Sequence, residues 1–123
     1  MTGGEIATPS YALGLAMTVK DMKAISIYLT CKNNAEAKKI SNALLKNKLV
    51  ACANIFPVQS LYLWKKKLEQ SGEVAIVFKT LKNNLSKIEK IISTLHSYSV
   101  PVISVEEIKL NKKAQEWLNK EIK

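Results

Sequence analysis

The stretch from Val50 to Thr80 decides the fold, and it reads VACANIFPVQSLYLWKKKLEQSGEVAIVFKT. Its first arm, Val50–Trp64, is rich in β-branched and aromatic residues, which favour strands. Its return arm ends in Glu73–Thr80, which is apolar on both faces, as a central strand covered on two sides would be. The lysine run Lys65–Lys67 separates the two arms. The pattern predicts a long β-hairpin with its turn at these lysines.

This hairpin is too long for a domain of its size. Fully extended, Val50–Trp64 would span about 50 Å at about 3.3 Å per residue. A compact chain of 123 residues has a diameter of about 35 Å. The arm therefore bends, at Pro57, or part of the hairpin projects from its own subunit. An exposed apolar ribbon with unpaired edges invites pairing, so we expect a second copy of the chain to cover it. Ser71 and Gly72 are expected to mark a bulge or kink in the return arm.

Periodicity on either side of the hairpin predicts the remaining elements. They are a strand at Ala24–Thr30, a helix from Asn33 to near Lys48, a helix with an apolar stripe from Leu85 to Leu95, a strand at Val102–Leu110, and a last helix carrying Ala114, Trp117, Leu118 and Ile122. Asn33 with Glu36 three residues later forms a capping box variant, and Asn83, Asn84 and Asn111 are the other predicted caps.

The predicted order is β-α-β-β-α-β followed by one extra helix. Two helices on one face of a four-stranded antiparallel sheet make an α+β, ferredoxin-like split βαβ fold, here with a C-terminal helix and a long projecting hairpin. Residues 23–123 form the single predicted domain. Residues 1–22, which contain glycines, alanines and Pro9, are expected to be a flexible tail.

Composition narrows the classes of function. The net charge is +9 and every basic residue is a lysine, so the bidentate arginine forks that recognise phosphate or guanine are missing. The strand Val74–Thr80 has one aromatic residue, Phe78, and lacks the aromatic run of RNA-recognition modules. We expect no nucleic-acid partner, and no membrane partner because no run of eighteen apolar residues occurs.

The sequence also has few motifs that would indicate catalysis. The chain shows no activated nucleophile, no acid/base pair and no phosphate-binding loop, so we predict that it is not an enzyme. The two cysteines, Cys31 and Cys52, form neither a disulfide framework nor a CxxC pair. Reduced thiols are typical of a cytoplasmic protein.

Six segments carry a family resemblance. In chain order they are Leu29–Cys31, Leu49–Ile55, Ser60–Trp64, Val77–Thr80, Leu95–Pro101 and Trp117-Leu118. With them, residues 24–122 resemble the CutA, or divalent-cation-tolerance, family. The resemblance implies cytoplasmic homotrimers of ferredoxin-like subunits in which the hairpin reaches across to the neighbour. It also implies binding of copper or another divalent metal ion.

The sequence departs from the family at the implied metal site. The family pattern His-Pro-Tyr-Glu-x-Pro-Glu becomes His-Ser-Tyr-Ser-Val-Pro-Val, so Ser99 and Val102 replace both acidic residues. The thiol ligand of some members maps to Leu29, which leaves His96. One histidine binds a transition metal poorly without partners, and either three copies of His96 around a threefold axis or Cys31 approaching His96 would make a soft site. The alternative is that His96 forms hydrogen bonds near the helix end and the cysteines are small core residues.

A second departure is Lys66, where the family often has glycine. A left-handed conformation at this lysine costs on the order of 1 kcal/mol.

Four polar and aromatic residues are expected to line a groove between subunits, namely Tyr62, Trp64, Lys79 and Tyr98. Amphipathic aromatic residues suit such a groove. The function predicted is a non-enzymatic homotrimer linked to divalent-cation (copper) tolerance with weak metal binding. The alternative is a trimeric signalling protein that binds a small anionic effector in the groove, with Lys79 as its charge partner.

Overall fold

A computed structural model describes residues 23–122, and its elements follow the predicted order. They are β1 (Ala24–Cys31), α1 (Asn34–Lys46), β2 (Cys52–Trp64), β3 (Lys67–Leu81), α2 (Leu85–Leu95), β4 (Ser104–Glu107) and α3 (Lys112–Glu121), with a 3₁₀ turn at Lys82–Asn84 before α2. The predicted tail, residues 1–22, lies outside the described residues.

The four strands form one antiparallel sheet in the order β2-β3-β1-β4. This is the split βαβ arrangement predicted from the sequence. Alternate residues of β1 point into the layer formed by α1 and α2, and the buried core there comprises Ile25, Ile27, Leu29, Ile40, Leu44, Ile76, Phe78, Ile88 and Ile92 among others. The residues between them, Ser26, Tyr28 and Thr30, lie on the open face and are only partly buried.

The hairpin is a continuous ladder. Each of the 13 residues of β2 pairs with one residue of β3, from Cys52 opposite Lys79 to Trp64 opposite Lys67. Ser71 and Gly72 pair one-to-one with Ser60 and Gln59, so the predicted bulge is wrong. The glycine lies in open space, where an added Cβ would meet nothing within 4 Å.

The structure takes the projecting alternative rather than a break at proline. Pro57 stays in the ladder opposite Val74, which is tolerated because β2 is an edge strand of the sheet. Beyond it, every residue from 61 to 70 is exposed.

Helix α1 begins and ends with specific hydrogen bonds. The Asn33 side chain accepts the backbone N–H of Glu36 at 2.9 Å, which confirms the predicted cap. At the other end Lys48 adopts φ 57°, and the N–H groups of Lys48 and Leu49 donate to the carbonyls of Leu45 and Leu44 at 3.0 Å each. This is the Schellman pattern, with lysine where glycine is usual.

Two other predicted caps are wrong. Asn84 occupies the N-cap position of α2, but its side chain donates to the Leu49 carbonyl at 3.3 Å and caps nothing. Asn111 precedes α3 without a side-chain capping bond. The Asn84 side chain makes this tertiary hydrogen bond instead of a local capping bond, because the carbonyl of Leu49 is buried and needs donors.

Strand β4 is shorter than predicted. It covers Ser104–Glu107 rather than Val102–Leu110, because it pairs only with residues 25–28 of β1. Ile108 and Leu110 leave the ladder to pack beside the buried Leu118 of α3. The ammonium groups of Lys82 and Lys23 lie 2.8 and 3.5 Å from the carboxylate of Glu107. These ion pairs connect the end of β4 to the rest of the domain.

Within residues 23–122, no helix combines the length and hydrophobicity required to span a lipid bilayer.

Candidate functional site

Three side chains with metal-ligating atoms meet beneath one end of the sheet. Cys31 ends β1, Glu36 lies in the first turn of α1, and His96 follows α2 directly. Their candidate ligand atoms lie within 4.8 Å of one another and all three residues are buried. We call this set the buried triad. It brings together the two residues predicted from the sequence, Cys31 and His96.

Glu36 is the member that the sequence analysis missed. It was identified as a capping residue of α1, and it lies only five residues after Cys31. The sequence signal for its role was a carboxylate in the first turn of the helix that follows a strand ending in cysteine. The link to His96, sixty residues further on, depends on tertiary structure alone.

Both ring nitrogens of His96 are engaged. Nδ1 accepts the backbone N–H of Tyr98 at 3.0 Å, so Nε2 carries the ring proton and donates to the carbonyl of Thr30 at 2.8 Å. These two hydrogen bonds fix the orientation of the ring between β1 and the segment after α2. These are the bonds that the hydrogen-bonding alternative for His96 predicts.

Both carboxylate oxygens of Glu36 are also engaged. One accepts the N–H of Lys32 at 3.0 Å and the other accepts the N–H of Ser97 at 2.7 Å. Burial alone would raise the pKa of Glu36, but the N–H groups of Lys32 and Ser97 lower it below its ordinary value. The carboxylate is thus charged, and each of its oxygens already accepts one backbone N–H.

The thiol of Cys31 is not prepared for metal binding. Burial, followed by the charges of Glu36 and Glu73, raises its pKa to about 12. The thiolate is the form that binds metals, and at neutral pH this cysteine is protonated. It behaves as a small core residue between the sheet and the helices.

The buried triad does not fit a divalent cation in this arrangement. Tetrahedral Zn²⁺ holds sulfur at about 2.3 Å and nitrogen at about 2.0 Å, which places ligand atoms about 3.5 Å apart with free lone pairs. Here the lone pairs of His96 and Glu36 accept backbone N–H groups. A bound ion would have to displace at least one of these bonds and take the proton of Cys31.

Above the triad lies a groove of about 740 Å³ between the outer half of the hairpin and residues 98–102. Three aromatic side chains line it, Tyr62 and Trp64 from β2 and Tyr98 from the segment after α2. Leu61, Leu63, Val100 and Val102 supply much of the apolar wall. The groove combines aromatic faces with aliphatic surface on a single chain.

The charge of this groove is negative. Glu73 of β3 is the one charged residue among the described residues that line it. Its carboxylate accepts the phenol O–H of Tyr98 at 2.5 Å. Burial, with this bond and the charge of Glu73, raises the pKa of Tyr98, so the phenol stays protonated and neutral.

Of the four predicted groove residues, Tyr62, Trp64 and Tyr98 are brought together and Lys79 is not. Lys79 pairs with Cys52 at the opposite end of the hairpin ladder, and its ammonium group donates to Asn54 Oδ1 at 3.3 Å. Glu73 lies six residues earlier on the same face of β3 and takes the place that was assigned to the lysine. The sequence pattern alone could not decide between them, because both point to the open face.

The triad and the groove are joined through His96 and Tyr98. Besides the bond from Tyr98 N–H to His96, their rings lie 4.6 Å apart, centre to centre. The buried triad therefore fixes the segment that carries Tyr98 into the groove. In this hydrogen-bonded arrangement, the role of the buried triad is structural.

Comparison with known proteins gives a consistent result. A family model described as CutA1 divalent ion tolerance protein matches residues 25–121. The divalent-cation tolerance protein CutA of Thermococcus kodakarensis is 35% identical over 98 residues, which are 79% of this chain and 94% of that protein. The chloroplastic protein CutA of Arabidopsis thaliana is 31% identical over 89% of this chain and 61% of its own length.

Solved structures agree with this assignment. The periplasmic divalent cation tolerance protein CutA of Archaeoglobus fulgidus superposes with a TM-score of 0.80 and 32% identity, covering 81% of this chain and 99% of that one. CutA1 of Pyrococcus horikoshii gives a TM-score of 0.77 and 32% identity, with coverage of 80% and 98%. These likenesses confirm the predicted fold class. The chain belongs to the CutA1 divalent ion tolerance family.

Proposed function

We propose that this protein is a non-enzymatic homotrimer that acts in divalent-cation tolerance, with the hairpin of each copy covered by the next. Membership of a family named for tolerance, and not for a reaction, supports the first part. The exposed apolar hairpin supports the second. Leu61, Leu63 and Leu68 are 64%, 75% and 72% exposed on the single chain.

The free energy available from covering this surface is large. Burying one such side chain contributes about 1.5–3 kcal/mol. Among residues 23–122, strand β2 is also an edge of the sheet, so within this part of the chain the backbone groups on its outer side lack a ladder partner. A head-to-tail contact, in which the hairpin of one copy meets a different surface of the next, closes into a ring.

The partner proposed is thus a second and third copy of the chain, and neither nucleic acid nor membrane. The location proposed is cytoplasmic, since Cys31 and Cys52 are free thiols. Relatives named chloroplastic and periplasmic occur in the family, so fractionation of the source cells is the test of location.

Trp64 is the residue on which we test the assembly. It is 45% exposed on the hairpin, and Trp117 on α3 is a matched control at 43% exposed. Trp64→Ala is expected to weaken the trimer by about 2 kcal/mol or more, as truncation of a buried aromatic anchor does. Trp117→Ala is expected to leave it unchanged. Sedimentation over a dilution series measures both, and equal dissociation of the two variants would contradict the proposed interface.

The link to copper is proposed as weak binding of a divalent ion by His96 with Cys31 and Glu36. Weakness follows because binding must break at least one hydrogen bond between the buried triad and the backbone groups of Thr30, Ser97 and Tyr98. Titration calorimetry with Cu(II) and Zn(II) is expected to give dissociation constants above about 1 µM for the wild type. Tighter binding that His96→Ala abolishes would contradict this account and establish a built metal site.

The anionic-effector alternative has no observation in its favour. Lys79 lies outside the groove, and the carboxylate of Glu73 lines it. An anion placed there would meet a like charge.

A further inference from the structure

We infer that the groove of each copy receives a lysine side chain, Lys65 or Lys66, from the hairpin turn of the neighbouring copy. This inference rests on the proposed trimer and names the contact that completes it. Two independent observations carry it, one at the groove and one at the turn. Neither concerns the buried triad.

The groove has the chemistry of a site for an ammonium group. Aromatic faces attract cations through the ring quadrupole, and the attraction strengthens when water is excluded. Tyr62, Trp64 and Tyr98 supply three such rings, and Glu73 adds a negative charge. In residues 23–122, the structure pairs this carboxylate with the neutral phenol of Tyr98 and with no lysine.

The turn presents cations at a strained position. Lys65 and Lys66 form a two-residue loop between the paired Trp64 and Lys67, with φ of 51° and 67°. Positive φ at both positions is the requirement of a type I′ turn, for which Asn-Gly is the favoured pair. Side chains with a Cβ are disfavoured in this conformation. Strain of this kind, kept at an exposed tip, points to a role for the lysine side chains themselves.

Lys65 and Lys66 cannot reach Glu73 of their own chain. Six residues of paired strand separate Glu73 from Lys67, which is about 20 Å at about 3.3 Å per residue. The continuous ladder holds the turn at that distance from its own carboxylate. Between copies, a turn on one and a groove on the next are different surfaces, which is the heterologous contact that a three-membered ring requires.

The turn variant Lys65→Asn/Lys66→Gly tests the inference without harming the fold. It removes both charges and installs the pair that the turn favours. Lys112→Gln/Lys113→Gln is the matched control, since it removes two charges from exposed positions at the start of α3. Glu73→Gln removes the charge of the groove and keeps an oxygen that accepts the Tyr98 hydroxyl.

Sedimentation over a dilution series is expected to show dissociation at about tenfold higher concentration for the turn variant and for Glu73→Gln. The combination of the two is expected to add nothing further, because both remove the same interaction. The α3 control is expected to match the wild type. At a dilution where both proteins are dissociated, urea unfolding of the turn variant is expected to show stability no lower than that of the wild type.

Three results would overturn the inference. One is a turn variant that dissociates like the wild type, and another is a combination whose effects are fully additive. The third is a wild type that is monomeric before any variant is made, which would overturn the proposed trimer as well. A wild-type trimer with unaffected variants would overturn the lysine contact alone.

Discussion

Lys48 shows at the scale of one residue how this chain accepts local strain. It adopts φ 57° directly after α1, in the position where a Schellman motif usually has glycine. The motif is kept because Leu49 and Leu44, which its hydrogen bonds join, are both buried in the core. Packing outweighs the cost of the backbone conformation.

Replacing this lysine should therefore stabilise the protein. Lys48→Gly is expected to raise the free energy of unfolding by about 1 kcal/mol, because glycine adopts positive φ without steric cost. Lys46→Gly, within the last turn of α1, is the control and is expected to lower it by about 0.5–1 kcal/mol. Urea denaturation distinguishes them, and a loss of stability in Lys48→Gly would refute the strain argument.

Glu36 links the fold to pH. Burial would raise its pKa, but the N–H groups of Lys32 and Ser97 lower the value in the folded state below the ordinary 4.5. A carboxyl group with a lowered folded-state pKa stabilises the fold fully above its unfolded pKa, and loses that contribution as the pH falls through the folded value. The pH dependence that Glu36 gives to the stability is thus confined to pH values below about 4.5.

Glu36→Gln should remove this dependence. The variant is expected to be less stable than the wild type by about 2 kcal/mol at neutral pH, because hydrogen bonds to a charged acceptor are lost. The difference should shrink as the pH falls below 4.5. Urea unfolding across this range measures it, with the exposed Glu89→Gln as control. A difference that stays constant with pH would show that the charge of Glu36 does not matter.

At the scale of elements, hydrophobic periodicity was sufficient where an element buries a regular face. The stripe from Leu85 to Leu95 predicted α2 with its observed bounds, and the apolar run of β3 placed the central strand. The ends of elements depended on tertiary contacts instead. Asn84 abandons its cap for the Leu49 carbonyl, and β4 stops where its pairing with β1 stops. Neither event leaves a signal in the neighbouring sequence.

The candidate site could be predicted only in part, for the same reason. The aromatic residues Tyr62, Trp64 and Tyr98 could be identified by their types and by resemblance. The choice between Glu73 and Lys79 required knowing which end of a 13-residue ladder faces the groove. Glu73 and Lys79 lie on the same face of β3. The alternation of side chains along a strand therefore does not indicate which of them lines the groove.

In the whole molecule, a single copy leaves the apolar surface of the hairpin uncovered, and the proposed trimer depends on this surface. The core under the sheet is complete, whereas the outer hairpin exposes leucines and tryptophan to solvent. Exposed apolar patches of this kind mark interaction sites. The groove beside the hairpin has the negative charge of Glu73, and the turn has positive lysines. We propose that these two surfaces meet between copies of the chain.

The molecular mass in solution shows whether other copies of the chain cover the hairpin. Light scattering on the full chain at micromolar concentration is predicted to give about 41 kDa, three times the 13.7 kDa of one chain. A mass of 13.7 kDa under the same conditions would contradict the account, because the hairpin would then remain stable in solution without a partner.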